Sequence, residues 1–119
     1  MNNSESTTIL IVDEHPLIRY AIKSILELKT DLQDIGEVTN GEEAVRFVKE
    51  QKTDVVIMEI SMPKLDGLEA TKQIKQLDPN TLVIVLTVYD DIEQILSILE
   101  SGASGYLTKQ AFGKEVVQP

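Results

Sequence analysis

The chain has 119 residues, 42% hydrophobic and 26% charged, with a formal net charge of −9 and no cysteine. That balance fits one soluble globular domain with a single core, and the missing thiols exclude disulfides and thiolate chemistry and point to a reducing cytoplasm. A surface this acidic argues against direct nucleic-acid binding, while the polar start MNNSEST and the lack of any apolar run near about 18 residues argue against secretion or membrane insertion.

Residues 1–7 are expected to form a disordered tail. Ile9 to Val12 is a short apolar run, followed by Pro16 to Leu28, where Leu17, Ile18, Ala21, Ile22, Ile25 and Leu26 recur at helical spacing. Ile35 and Val38 mark a weaker second strand. Asn40 and Gly41 then open a helix with Ala44, Val45, Phe47 and Val48 on its inner face. Val55 to Met58 reads as a third strand buried on both faces, and a loop from Pro63 to Gly67 leads to a helix carrying Leu68, Ala70, Ile74 and Leu77. Asp78-Pro79-Asn80 ends it. Leu82 to Leu86 is the fourth strand, Ile92 to Leu99 the fourth helix and Gly105 to Thr108 the fifth strand. A last helix starting near Lys114 is cut short at Pro119, which predicts a chain truncated within or before a following domain.

Apolar strands alternating with amphipathic helices predict an α/β doubly wound five-stranded parallel sheet, with helices on both faces. Ligands of such sheets bind beyond the carboxyl ends of the strands, where strand order reverses. Asp13 and Glu14 follow the first strand, Glu59 the third, Thr87 the fourth and Lys109 the fifth, whereas the second offers only Thr39 and Asn40. In the order 2-1-3-4-5, three carboxylates converge, and their repulsion calls for positive charge. Lys109 supplies one, and a hard divalent cation with oxygen ligands, Mg²⁺ first, is the natural second. The Asp-Glu-His-Pro run after the first strand would repel a bare phosphate, which argues against a flavin or dinucleotide site.

The stretches ILIVDEHPLIR, GEVTNGEEAV, DVVIMEISMPKLDGLEA, LTVYDD and SGASGYLTK resemble the flavodoxin-like receiver domain of two-component response regulators, over residues 8–118. HPLIR and LTVYDD are most similar to receivers of the LuxR/FixJ/NarL class, which normally precede a helix-turn-helix DNA-binding domain. The resemblance implies that Asp13, Glu14, Glu59 and the backbone carbonyl of Ser61 surround Mg²⁺, with Glu14 at the direct-ligand position. It also implies that Glu59 occupies the phosphoacceptor position, that Thr87 binds a phosphoryl oxygen, that Lys109 pairs with it, and that Tyr106 is the aromatic switch. A sensor histidine kinase would be the phosphoryl donor, and the domain would catalyse only its own phosphorylation and dephosphorylation.

The family has aspartate where this sequence has Glu59, and the extra methylene carries the carboxylate roughly 1.3 Å further into the pocket. A displacement of about 1 Å costs on the order of 100-fold in rate, so ordinary phosphorylation is expected to be disabled. Either the longer side chain imitates the phosphorylated state, or the domain is an atypical receiver that works as a phosphate-independent interaction module. Imitation would be partial, because one carboxylate carries about −1 against roughly −2 for a phosphoryl group.

His15, the sole histidine, is expected to shape the start of the first helix ahead of Pro16 rather than to bind metal. The fourth helix carries Ile92, Ile95, Leu96, Ile98 and Leu99, more than one buried stripe needs. Part of that surplus is expected to face outward, suiting a homodimer contact through the fourth- or fifth-helix region.

Overall fold

The computed structural model describes residues 7–29, 33–62, 64–87 and 92–108. The final helix near Lys114, Lys109 and most of the N-terminal tail lie outside them. In chain order the elements are β1 (Thr7–Val12), α1 (Pro16–Lys29), β2 (Gln33–Val38), α2 (Gly41–Glu50), β3 (Val55–Glu59), α3 (Gly67–Leu77), β4 (Leu82–Thr87), α4 (Ile92–Glu100) and β5 (Gly105–Thr108). All four strand pairings are parallel, in the order β2-β1-β3-β4-β5, as the alternation of apolar runs and helices predicts. Thr7, assigned above to the tail, already pairs with Gln33, because ladder bonds use the backbone and need no apolar side chain.

The strands bury both faces, so successive residues serve different layers. Leu10, Val12, Val56, Met58, Val83 and Val85 pack with residues of α2, α3 and α4. Ile9, Ile11, Ile57 and Leu86 face the other way and meet Ile22 of α1. Each fully buried side chain of this size contributes about 1.5–3 kcal/mol.

Helix starts are fixed by side chains of the types the sequence supplies. Asn40 accepts the N–H of Glu43 at 2.9 Å to begin α2, and Asp66 accepts that of Glu69 at 3.0 Å to begin α3. Two glycines then let backbones touch. A β-carbon on Gly41 would strike the carbonyl of Leu65, and one on Gly67 would stand 2.5 Å from the carbonyl oxygen of Glu59. The β3–α3 loop is therefore gripped at both ends, and within it Lys64 adopts a left-handed φ of 65°.

Two apolar stripes read from periodicity need correction. Leu17 of α1 is 76% exposed and Leu77 of α3 44%, because helical spacing identifies a face without requiring every apolar residue on it to be covered. In α4 the outward surplus is larger than a single stripe would leave: Ile92, Leu96 and Leu99 are exposed and only Ile98 is fully buried.

Candidate functional site

Parallel pairing brings strand ends to a common rim, and the register decides which side chains meet there. Val12 pairs with Met58, so Asp13 and Glu59 are each one step beyond the same rung. Glu59 pairs in turn with Leu86, and Thr87 with Thr108. Glu59 and Thr87 are the last residues of β3 and β4 rather than the first of the following loops. Asp13, Glu59 and Thr87 are only 1%, 5% and 0% exposed. Burying such groups costs free energy unless partners compensate, so their gathering at one rim is a built feature.

Asp13 is held through both backbone groups and its Oδ1. Its N–H donates to the carbonyl of Val38 at 3.2 Å, continuing the β1–β2 ladder beyond Val12. Its Oδ1 accepts the backbone N–H of His15 at 2.9 Å and lies 2.7 Å from His15 Nδ1. Its carbonyl accepts Arg19 Nη1 at 2.7 Å. Glu14, in the bend that follows β1, is exposed, with Oε2 3.7 Å from His15 Nε2. The acidic doublet is thus split into one buried and one solvated carboxylate.

Glu59 curls toward its own loop, where Oε2 accepts the N–H of Ser61 at 3.1 Å. Ser61 itself is exposed. Tyr106 of β5 is half-buried and packs against the core layer shared by α2, α3 and α4. Lys109, the ammonium expected at the rim, lies outside the described residues. Among the described residues, no three acidic, histidine or cysteine side chains are grouped closely enough to hold a metal ion by themselves.

Sequence reasoning missed two contributors. His15 does shape the start of α1, accepting the N–H of Arg19 at 3.1 Å, but its ring also clamps Asp13. The Asp-x-His spacing, which lets a carboxylate bond the backbone two residues on, was the available signal. Arg19 and its partner Glu37 on β2, 3.1 Å apart, were also unforeseen, although the excess of acid at the rim required a cation.

The family model of the response regulator receiver domain matches residues 9–118. The chain is 38% identical to the transcriptional regulatory protein DegU of Brevibacillus brevis over 108 residues, covering 91% of this chain and 46% of the relative. It is 39% identical to the response regulator UvrY of Escherichia coli (strain K12), covering 92% of this chain and 50% of that one. It therefore spans about half the length of these curated relatives. Among solved structures, a LuxR-family two-component response regulator from Aurantimonas sp. SI85-9A1 superposes with a TM-score of 0.85 at 31% identity, covering 96% of this chain and 81% of that one. Receiver domains are typically non-enzymatic signalling modules and generally bind Mg²⁺ at their phosphorylation site. With the register, the buried rim and these relatives in agreement, the chain belongs to the receiver domain family of response regulators, with relatives among LuxR-family transcriptional regulators.

Proposed function

We propose that this domain is a receiver switch of a phosphorelay whose charge at the tip of β3 is supplied permanently by Glu59 instead of by phosphoryl transfer. The observation that carries the reading is the burial of Glu59 one rung beyond the Val12–Met58 pair, beside Asp13. A phosphoacceptor needs that position, since phosphoryl transfer asks chiefly for alignment and charge neutralisation around the transferred oxygens. Glu59 has the charge but the wrong reach. It therefore shifts the balance between inactive and active conformations partway, with Thr87 and Lys109 reading the charge and Tyr106 following it on the α4 side.

Mg²⁺ is the ion this pocket would take, from its oxygen donors: Asp13, Glu14, Glu59 and the backbone carbonyl of Ser61. Mg²⁺ is characteristically held by one or two carboxylates, with water completing its shell, so it does not require all three of these carboxylates to reach it at once. The bound ion would neutralise acid repulsion at the rim. The upstream partner is a sensor histidine kinase, the output a DNA-binding domain regulating transcription, and the setting the cytoplasm. No described helix is long and apolar enough to cross a membrane.

A second reading, a phosphate-independent interaction module, draws on the exposed Ile92, Leu96 and Leu99 of α4, which would serve a homodimer contact. Incubation with a small acyl-phosphate donor and Mg²⁺ separates the two. The switch reading expects no phosphoprotein from the chain with Glu59 and stoichiometric phosphoprotein from Glu59→Asp. An inert Glu59→Asp protein leaves the interaction module standing.

A further inference from the structure

We propose that Arg19 is a positioning residue for the acidic pocket: its guanidinium fixes the Asp13 peptide and ties it to Glu37 on the outermost strand. This deepens the proposed pocket of Asp13 and Glu59 and rests on that reading. Arg19 lies in the first turn of α1, and helical side chains lean back toward the N-terminus of their helix. From there the side chain reaches back to the loop that carries Asp13, Glu14 and His15. Nη1 donates to the Asp13 carbonyl at 2.7 Å while Nε donates to Glu37 Oε1 at 3.1 Å. The side chain is only 15% exposed, an uncommon state for a permanent cation unless it is paired.

The arrangement does more than neutralise charge. With its N–H on Val38 and its carboxylate on His15, Asp13 has one remaining backbone group, the carbonyl, and Arg19 holds it. Rotation of the Asp13–Glu14 peptide, which would turn this carbonyl away from α1, breaks that bond. Lys23, also near Glu37 but at 3.9 Å and 41% exposed, shows what an ordinary surface pair in this place looks like. A lysine at position 19 would keep the charge but not the fork that serves two acceptors at once.

Charge and positioning predict opposite signs for metal binding. If Arg19 acted through charge alone, Arg19→Gln would remove a repulsive neighbour and tighten Mg²⁺ binding. If it positions Asp13, the same change weakens it. The test compares the 119-residue chain with Arg19→Gln, Arg19→Lys and Glu37→Gln, by amide hydrogen exchange and by calorimetric titration with MgCl₂. We expect His15 amide protection to fall about tenfold or more in both Arg19 variants, with Leu10 in β1 unchanged, a smaller fall in Glu37→Gln, and weaker Mg²⁺ binding by about tenfold in Arg19→Gln. Protection of His15 within about twofold of the parent, or a loss shared equally by Leu10, would overturn the proposal. So would tighter Mg²⁺ binding. A parent chain that binds no Mg²⁺ removes the metal from the proposed function, yet the exchange measurement still decides the role of Arg19.

Discussion

The two rims of the sheet bury polar groups in opposite ways. At the amino rim, Thr53 and Thr81 are each 1% exposed, and their bonds close on the backbone: Thr81 Oγ1 donates to the Thr53 carbonyl at 2.7 Å, and Thr53 Oγ1 to that of Gln51 at 3.1 Å. Asp54 accepts the N–H of Thr8 at 2.8 Å, Ser104 accepts that of Val83 at 3.2 Å, and Lys75 donates to the carbonyl of Thr81 at 2.7 Å. These side chains finish strands that would otherwise end in unpaired backbone groups. At the carboxyl rim the buried groups among the described residues include two carboxylates and a hydroxyl, at the edge where ligands of such sheets bind. Equal burial therefore closes on the backbone at one rim and gathers, at the other, the charge on which the proposed function rests.

Gly67→Ala should break the separation most severely. Its β-carbon would press on the Glu59 carbonyl oxygen at 2.5 Å and on Ile60 Cα at 2.7 Å, backbone atoms that yield only if α3 moves off the tip of β3. We expect a loss of about 2–3 kcal/mol, seen as a lower urea midpoint, together with a shifted Ser61 amide resonance. Thr81→Val tests the amino rim alone. It strands the Thr53 carbonyl and should cost about 1–2 kcal/mol, lowering Tm by several degrees and leaving His15 amide protection untouched.

The smallest effect belongs to Glu43, an acid near the carboxyl rim that is already satisfied. Its carboxylate accepts the backbone N–H of Thr39 at 2.8 Å and the Thr39 hydroxyl at 2.9 Å, and the first of these does most to hold its pKa below the ordinary carboxyl value. Protonation is thus disfavoured in the folded state. The stabilisation is complete above the ordinary carboxyl pKa and disappears as pH falls through the lowered one. Because the group is largely solvated, Glu43→Gln should flatten the acid limb of a Tm against pH curve by no more than about 0.5 kcal/mol.

Much of this was legible in the sequence because parallel strands covered on both faces leave continuous apolar runs, and Val55 to Met58 and Leu82 to Leu86 have few other readings. The rim was legible for a related reason, since a polar residue ending such a run sits at a strand tip. Burial was less so. Asp13 and Glu14 look alike as letters, yet the bend after β1 leaves one internal and the other solvated. The Asp-x-His spacing hints at the His15 contact, but the reach of Arg19 from α1 to the Asp13 carbonyl and to Glu37 on β2 is one that spacing does not encode. The exposure of Leu17 and Leu77 escaped for the opposite reason: surface apolar residues carry little penalty, so nothing in the pattern distinguishes them from core.

Lys64 illustrates a last consequence. A lysine at φ 65° sits where a side chain costs roughly 1–2 kcal/mol, and the close backbone approaches at Gly41 and Gly67 flank it. An excised peptide spanning 59–67 would relax out of this shape, and antibodies raised against such a fragment would recognise the denatured chain better than the native one.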